Sequence, residues 1–278
     1  MVAQVYGFIP ARLASTRLPR KLLLAETGRS LIQHTWESAR RAQTLTEVVV
    51  ATDSQEIADV VRSFGGRCEL TDDHPSGTDR IAAVVRRAFP AAQIVVNIQG
   101  DEPEVDSQSI DLLVRLLSEH PEAQMSTLAA PIREREVRDS PSCVKVVCAA
   151  DGRALYFSRS VIPFSRDQDP NELLAGESPW LLHLGLYAYR REFLMKLSEL
   201  PVSRLERLEK LEQLRALEAG ANIQVGLVER SAVGIDTPDD YARFVERHRR
   251  TACVPGPHGP FPDLKSKISN PKSEIRAS

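Results

Sequence analysis

Short runs of β-branched and aliphatic residues alternate along this chain with stretches whose apolar residues recur every three or four positions. That alternation predicts strands followed by helices. Val5–Ile9 reads as a buried strand, and Ser30 opens an amphipathic helix with Leu31, Ile32, Thr35, Trp36 and Ala39 on one side. Glu47–Thr52 is a second strand. Asp53 and Ser54 cap a helix carrying Ile57, Val60, Val61 and Phe64, which Gly65 and Gly66 stop. Arg67–Leu70 is a short third strand, His74–Arg80 a loop, and a helix with Ile81, Val84, Val85 and Ala88 follows. Ile94–Ile98 is a central strand, Ser107–Leu117 a helix and Met125–Ala130 a further strand. Strand and helix in this repetition imply a parallel sheet.

Beyond Ala130 the rhythm changes. Val144–Cys148, a turn at Asp151-Gly152, and Ala154–Phe157 predict a β-hairpin. Residues 163–180 are polar and punctuated by proline, and read as a long loop. His183–Tyr189 alternates, placing His183, Gly185, Tyr187 and Tyr189 on one face. Helices follow over Arg191–Leu200 and Ser203–Ala219, then a strand over Ile223–Val228. Thr237-Pro-Asp-Asp240 starts a last helix, with Thr as cap and Pro at the first position, running to about Arg249. Residues 251–278 are rich in Pro, Gly, Lys and Ser and are expected to be a disordered tail. The whole is read as one α/β domain over residues 1–250, with about 140–215 as a smaller α+β part.

Composition narrows the function classes. A chain of 278 residues with a formal charge of −2 suits a globular protein with a sizeable core and argues against a dedicated nucleic-acid binder. No apolar run approaches the roughly 18 residues of a membrane span, and no secretory leader is evident, so the expected location is the cytoplasm. Cys68, Cys143, Cys148 and Cys253 form no Cys-x-x-Cys and read as reduced thiols without a zinc site.

The polar residues gather at the ends of predicted strands, where open parallel sheets bind ligands. The loop Pro10–Lys21 carries Arg12, Arg17, Arg20 and Lys21 with the hydroxyls of Ser15 and Thr16. It lacks the glycine patterns of a Walker A loop or a dinucleotide fingerprint, and taken alone is either a phosphate site built on side-chain charge or a solvated basic loop. Asp101 and Glu102 in Gln99-Gly-Asp-Glu-Pro103 read as hard-cation ligands, suiting magnesium, with Asp101 alternatively a helix cap, and Asp236 as favourable charge near a helix N-terminus. Taken singly, Arg80 is a surface arginine, Arg159 suits a carboxylate, His183 is a core histidine, and Glu212-Gln213 is a solvated face.

Together these residues resemble a family. Pro10-Ala-Arg-Leu-Ala-Ser-Thr-Arg-Leu-Pro19, His74-Pro-Ser-Gly-Thr-Asp-Arg80, Asn97-Ile-Gln-Gly-Asp-Glu-Pro103, Ala154-Leu-Tyr-Phe-Ser-Arg159, His183-Leu-Gly-Leu-Tyr187, Leu211-Glu-Gln-Leu-Arg215 and Gly234-Ile-Asp-Thr-Pro238 stand in the order found in the CMP-Kdo synthetases, the 3-deoxy-manno-octulosonate cytidylyltransferases. The resemblance runs from about Gly7 to Arg249. It implies a nucleotide-diphospho-sugar transferase fold with residues 1–250 as the catalytic domain and about 140–215 as its sugar-binding and dimerisation part, a homodimer, a magnesium cofactor, and the substrates CTP and Kdo. By position it gives Arg12, Ser15 and Lys21 to the CTP phosphates, Arg80 and Gln99 to the cytidine, and Asp101 and Asp236 to magnesium. Arg159, His183, Tyr187, Glu212 and Gln213 would form the Kdo pocket, with Lys21, Arg12 and Asp101 acting in catalysis. Two positions depart from the family pattern: Arg20 stands where a glycine is frequent, and Leu182 where an arginine is common. Other acidic sugars, such as 8-amino-Kdo or a sialic acid, and a non-catalytic homologue remain as alternatives. An inverting glycosyltransferase would be expected to carry Asp-x-Asp, which Asp101-Glu-Pro103 does not match.

Overall fold

Valines and isoleucines that are consecutive in sequence divide between two opposite core layers. Val5, Ile9, Val48, Val50, Ile94 and Val96 enter one, whereas Phe8, Val49, Ala51 and Val95 enter the other. Side chains on a strand alternate between faces, so runs apolar on both faces need cover on both sides. The computed structural model describes residues 3–229 and 234–252 and supplies that cover. In chain order the elements are β1 (Val5–Ala11), a 3-10 turn at Lys21–Leu23, α1 (Leu31–Ala39), β2 (Glu47–Thr52), α2 (Gln55–Ser63), β3 (Arg67–Leu70), α3 (Gly77–Ala88), β4 (Ile94–Asn97), α4 (Ser107–Glu119), β5 (Met125–Pro131), α5 (Arg135–Asp139), β6 (Lys145–Cys148), β7 (Ala154–Ser158), α6 (Pro170–Ala175), β8 (Leu181–Arg190), α7 (Arg191–Glu199), α8 (Arg204–Glu209), α9 (Gln213–Glu218), β9 (Ile223–Leu227) and α10 (Pro238–Ala252).

The sheet runs β3-β2-β1-β4-β8-β5-β9, with the β6–β7 hairpin attached through β6 to β8. Along the main path all neighbours are parallel except those of β8, which is antiparallel to β4 and β5. Helices α1, α2, α4 and α10 cover one face, through Trp36, Ile57, Leu113 and Phe244 among others. Helices α3, α7 and α9 cover the other, through Ile81, Leu194 and Leu214. Each large aliphatic side chain buried in this way contributes roughly 1.5–3 kcal/mol. The expected α/β fold with a mostly parallel central sheet flanked by helices is what forms.

Three expectations need correction. Arg80 is not in a loop, because α3 already begins at Gly77, capped by the Ser76 hydroxyl accepting from the Asp79 amide. Residues 163–180 are not wholly loop: Asp169 caps the short α6, with Pro170 in its first turn, and Leu174 from it packs with Trp180 and Ile132. Asp-Pro followed by Glu172 is the same type of start signal that Thr237-Pro carries. The helix expected over Ser203–Ala219 is broken at Lys210, whose φ is +54°. There Arg159 Nε donates to the Glu209 carbonyl and Arg159 Nη2 to that of Lys210, taking acceptors a continuous helix would have used. Cys68, Cys143 and Cys148 are free thiols, and Cys143 precedes β6 rather than lying on it. Cys253 and the tail expected from 251 onward fall outside the described residues, apart from the last two residues of α10.

Candidate active site

The carboxyl ends of β1 and β4 and the segment before α10 meet at one cavity of about 560 Å³, lined by Arg12, Ser15, Arg17, Lys21, Asp101 and Asp236 among others. The geometry follows from local packing. Leu22, in the 3-10 turn, is buried against the loop after β4. Gly100 packs closely there: a Cβ at that position would press on Ile9 at 3.3 Å and touch Leu22 at 3.5 Å. Thr35 donates its hydroxyl proton to the Gly100 carbonyl at 2.9 Å. On the other side the Ile235 amide donates to the Asp101 carbonyl at 2.9 Å, which lays residues 234–237 alongside Asp101. Thr237 and Asp240 then cap α10 reciprocally: the Thr237 amide donates to Asp240 Oδ2 at 2.9 Å and the Asp240 amide to Thr237 Oγ1 at 3.2 Å.

These supports bring two carboxylates to one cation. Lys21 Nζ donates to Asp101 Oδ2 at 2.5 Å, Asp236 Oδ1 at 3.0 Å and the Ile235 carbonyl at 3.0 Å. Arg17, passed over in the sequence reading, reaches Asp236 Oδ2 at 3.0 Å. Arg12 and Ser15 line the same cavity with no ion pair or side-chain hydrogen bond among the described residues. Glu102, beside Asp101, is pushed up to about 7 by burial and then by the Asp101 charge. Arg20 keeps the turn that glycine would make, at φ +56° and ψ +27°, and pairs with Glu56. Glycine takes this left-handed region freely, whereas another residue there costs about 1–2 kcal/mol.

A smaller cavity of about 150 Å³ adjoins the first, and Pro10 and Gln99 line both. Its wall includes Asn97, Tyr187, Tyr189, Glu212 and Gln213. The break at Lys210 lets Glu212 turn inward instead of lying on a solvated face: Ser76 Oγ and Thr78 Oγ1 each donate to its carboxylate at 3.1 Å. Burial raises its pKa, and Arg215 and the two hydroxyls oppose that rise. Gln99 donates its amide to the Gly185 carbonyl at 3.0 Å, at a bulge where β8 opposes Thr127 with Tyr187 and Leu128 with Leu184.

The remaining expected residues, His183, Arg80 and Arg159, line neither cavity. His183 packs edge-on against Phe157, and its ring lies 5.4 Å from that of Tyr187. Its Nε2 is 3.0 Å from Thr127 Oγ1. That hydroxyl gives its single proton to the Leu184 and Leu186 carbonyls, so Nε2–H is assigned as the donor to it. Burial pushes His183 down to about 3, which keeps it neutral. Arg80 is 4% exposed, and its guanidinium is spent at 2.6 Å on Asp53 and 2.6 Å on Thr71. Arg159 donates to the carbonyls of Glu209, Pro141 and Lys210, leaving two of its five N–H groups.

The family model described as "Cytidylyltransferase" matches residues 6–223. A 3-deoxy-manno-octulosonate cytidylyltransferase of Rhodopirellula baltica is 50% identical over 241 residues, 86% of this chain and 96% of that protein. The chain belongs to the 3-deoxy-manno-octulosonate cytidylyltransferase family. A second member, from Geobacter sulfurreducens, is 46% identical over 87% of this chain and 98% of its own length. Among solved structures, a CMP:2-keto-3-deoxy-manno-octonic acid synthetase complexed with CTP superposes with a TM-score of 0.83 at 38% identity, covering 90% of this chain and all of that one. A 4-diphosphocytidyl-2C-methyl-D-erythritol synthase from Anaerococcus prevotii, at 13% identity and a TM-score of 0.58, shares the fold of this cytidylyltransferase family. Among the described residues no helix is long and apolar enough to cross a membrane.

Proposed function

We propose that this chain transfers the cytidylyl group of CTP to 3-deoxy-D-manno-octulosonate, releasing diphosphate and giving CMP-Kdo, the activated sugar for lipopolysaccharide synthesis. The observation that carries this reading is a cationic, acid-containing cavity joined through Pro10 and Gln99 to a smaller one walled by Tyr187 and Glu212. A nucleoside triphosphate and a polyhydroxylated acid need such neighbours. Asp101 and Asp236 fit magnesium, because their oxygens already converge on one ammonium within 3.0 Å. Among the described residues no cluster of three or more ligands forms, so a cation here would complete its shell from water and phosphate oxygens. Magnesium held there would neutralise triphosphate charge and lower the pKa of the sugar hydroxyl.

The anomeric 2-hydroxyl of the sugar gives up its proton to solvent and attacks the α-phosphorus in line. The new O–P bond forms as the bond to the β-phosphate oxygen breaks, and diphosphate leaves with that electron pair. Positioning and charge stabilisation dominate such a step. Arg12, Ser15 and Lys21 hold the phosphates, and Arg12 and Lys21 stabilise charge on the α-phosphate and the leaving group. Gln99 and Arg80 serve the cytidine, Arg80 by trading Asp53 or Thr71 for the nucleoside. Tyr187, Glu212 and Gln213 take the sugar hydroxyls, and the two spare N–H groups of Arg159 suit its carboxylate. Neutral His183 backs Tyr187. In this reading residues 140–215 supply the sugar side of the site, the protein works in the cytoplasm, and family resemblance supports a homodimer.

The test is diphosphate release from CTP and magnesium with Kdo, beside N-acetylneuraminic acid, 8-amino-Kdo and no sugar. Release with Kdo alone is expected. Release with another acid instead would rewrite the sugar pocket, and none with any sugar would overturn the enzymatic reading.

A further inference from the structure

Lys21 carries two incompatible assignments. Its family position gives it to the phosphates of CTP. Yet its ammonium has three N–H donors, and all three are spent on Asp101, Asp236 and the Ile235 carbonyl. Its side chain is only 14% exposed. In this posture Lys21 has nothing left for a phosphate, and the two acids have their shared cation already. Arg12 and Ser15, on the same cavity, have no ion pair or side-chain hydrogen bond among the described residues.

We propose that the Lys21 ammonium occupies the cation position between Asp101 and Asp236 in the free enzyme and leaves it for the triphosphate when a divalent cation arrives with CTP, so that Lys21 couples metal binding to nucleotide binding. This rests on the assignment of Asp101 and Asp236 as the metal ligands.

The surroundings favour a movement of the side chain alone. The backbone at Lys21 is fixed on one side by the left-handed turn at Arg20 and on the other by buried Leu22. A lysine head on a four-carbon stem can swing several ångströms about such an anchor, and as a compact point charge it can fill a position that a small metal ion would fill. A divalent ion alone must displace this ammonium and enter beside Arg17, which also holds Asp236. A triphosphate alone meets Arg12, Ser15 and Arg17 but not Lys21. When both arrive, the ion releases Lys21 and the phosphates receive it. Linkage makes the effect reciprocal: CTP raises metal affinity by the factor by which metal raises CTP affinity.

The experiment titrates the full-length chain with Mn²⁺, read by electron paramagnetic resonance of the free ion, without nucleotide and then with CTP. Sugar is omitted, so that nothing turns over. Lys21→Met should bind Mn²⁺ without nucleotide about tenfold or more tighter than wild type, and CTP should add little further. Lys21→Gln repeats the measurement should Met disturb the fold. In thermal melts without nucleotide, Mn²⁺ should raise the Tm of Lys21→Met and leave wild type nearly unmoved. Arg17→Met removes a nearby charge without emptying the position. Unchanged or weaker binding in Lys21→Met, or an equal gain in Arg17→Met, overturns the proposal. If Lys21→Met gains nothing while Asp101→Asn abolishes CTP-dependent Mn²⁺ binding in the wild-type background, the ligand assignment stands and the proposal alone falls. If the Lys21→Met, Asp101→Asn double variant keeps the gain, the assignment falls, and the proposal with it.

Discussion

The two joined cavities solve opposite problems. On the proposed phosphate side the charged groups neutralise one another across partly exposed contacts: Lys21 with Asp101, Arg17 with Asp236, Arg20 with Glu56. On the proposed sugar side the polar groups are mostly enclosed and held by neighbours in advance, Glu212 by hydroxyls and His183 by Thr127, with Asn97 Oδ1 left unpartnered among the described residues. The first is an arrangement of charges that can be exchanged for a ligand's. The second is a fixed template whose desolvation cost was met on folding. A change on the phosphate side should therefore register in turnover with little loss of stability, and a change on the sugar side in both.

The largest expected effect tests that division directly. Asp101→Ala should lower the rate of diphosphate release by about 10²–10³ or more while the thermal midpoint moves little. Glu212→Ala leaves the buried Thr78 hydroxyl without its acceptor, while Ser76 keeps Asp79 Oδ2, and should cost about 1–3 kcal/mol in urea unfolding, along with a raised KM for the sugar and an unchanged KM for CTP. If Glu212→Ala raised the KM for CTP instead, the two cavities would not divide the substrates between them.

A smaller effect concerns protons. His183 binds a proton near 6.5 when unfolded but only near 3 when folded. Stability is therefore full above about pH 6.5 and falls as pH drops below it, by about 1.4 kcal/mol per pH unit for one such group. Between pH 7 and 5 wild type should lose roughly 2 kcal/mol more than His183→Gln, compared by urea midpoints. Equal losses would mean that His183 accepts a proton in the folded protein.

The sheet, its helices and most boundaries were legible because apolar runs and caps are local signals. The strand β2, for example, is Glu47–Thr52 in both readings. What could not be read is tertiary. No local pattern says that Arg159 will take the carbonyls ending α8, so the break at Lys210 and the inward turn of Glu212 were invisible, and Glu212 read as solvated. That the Pro10–Lys21 loop and Asp101 share a site follows from their place at the ends of parallel strands, whereas Asp236, which comes long after Asp101 in the chain, joined them only through family resemblance. Arg17 stood in the loop unassigned, and only distance distinguishes it from its neighbours. The short α6 was readable, had Asp169-Pro170 been weighed as Thr237-Pro238 was.

The smallest effect is expected at Arg20. Substitution by glycine relieves the left-handed backbone but frees the unfolded chain and removes an exposed ion pair, so Arg20→Gly should shift stability by less than about 1 kcal/mol and leave turnover within roughly twofold. A large loss of activity would give the Arg20–Glu56 pair a role in shaping the phosphate loop that the surface position does not suggest.

The place of β8 in the sheet sets an order of events during synthesis. Strands β1 to β4 pair with one another and have all been made by Asn97, but the second edge of β4 waits for β8, which begins at Leu181. Ile94, Val95 and Val96 are fully or nearly fully buried once the sheet closes, so the growing chain carries an open, apolar strand edge while the hairpin and the loop after it are translated. Such edges recruit other strands. The acid pair is completed later still, when Asp236 is laid beside Asp101. A chain released before that point would hold most of its core without the acid pair, so under the proposed mechanism activity would report on a fully synthesised molecule more stringently than solubility does.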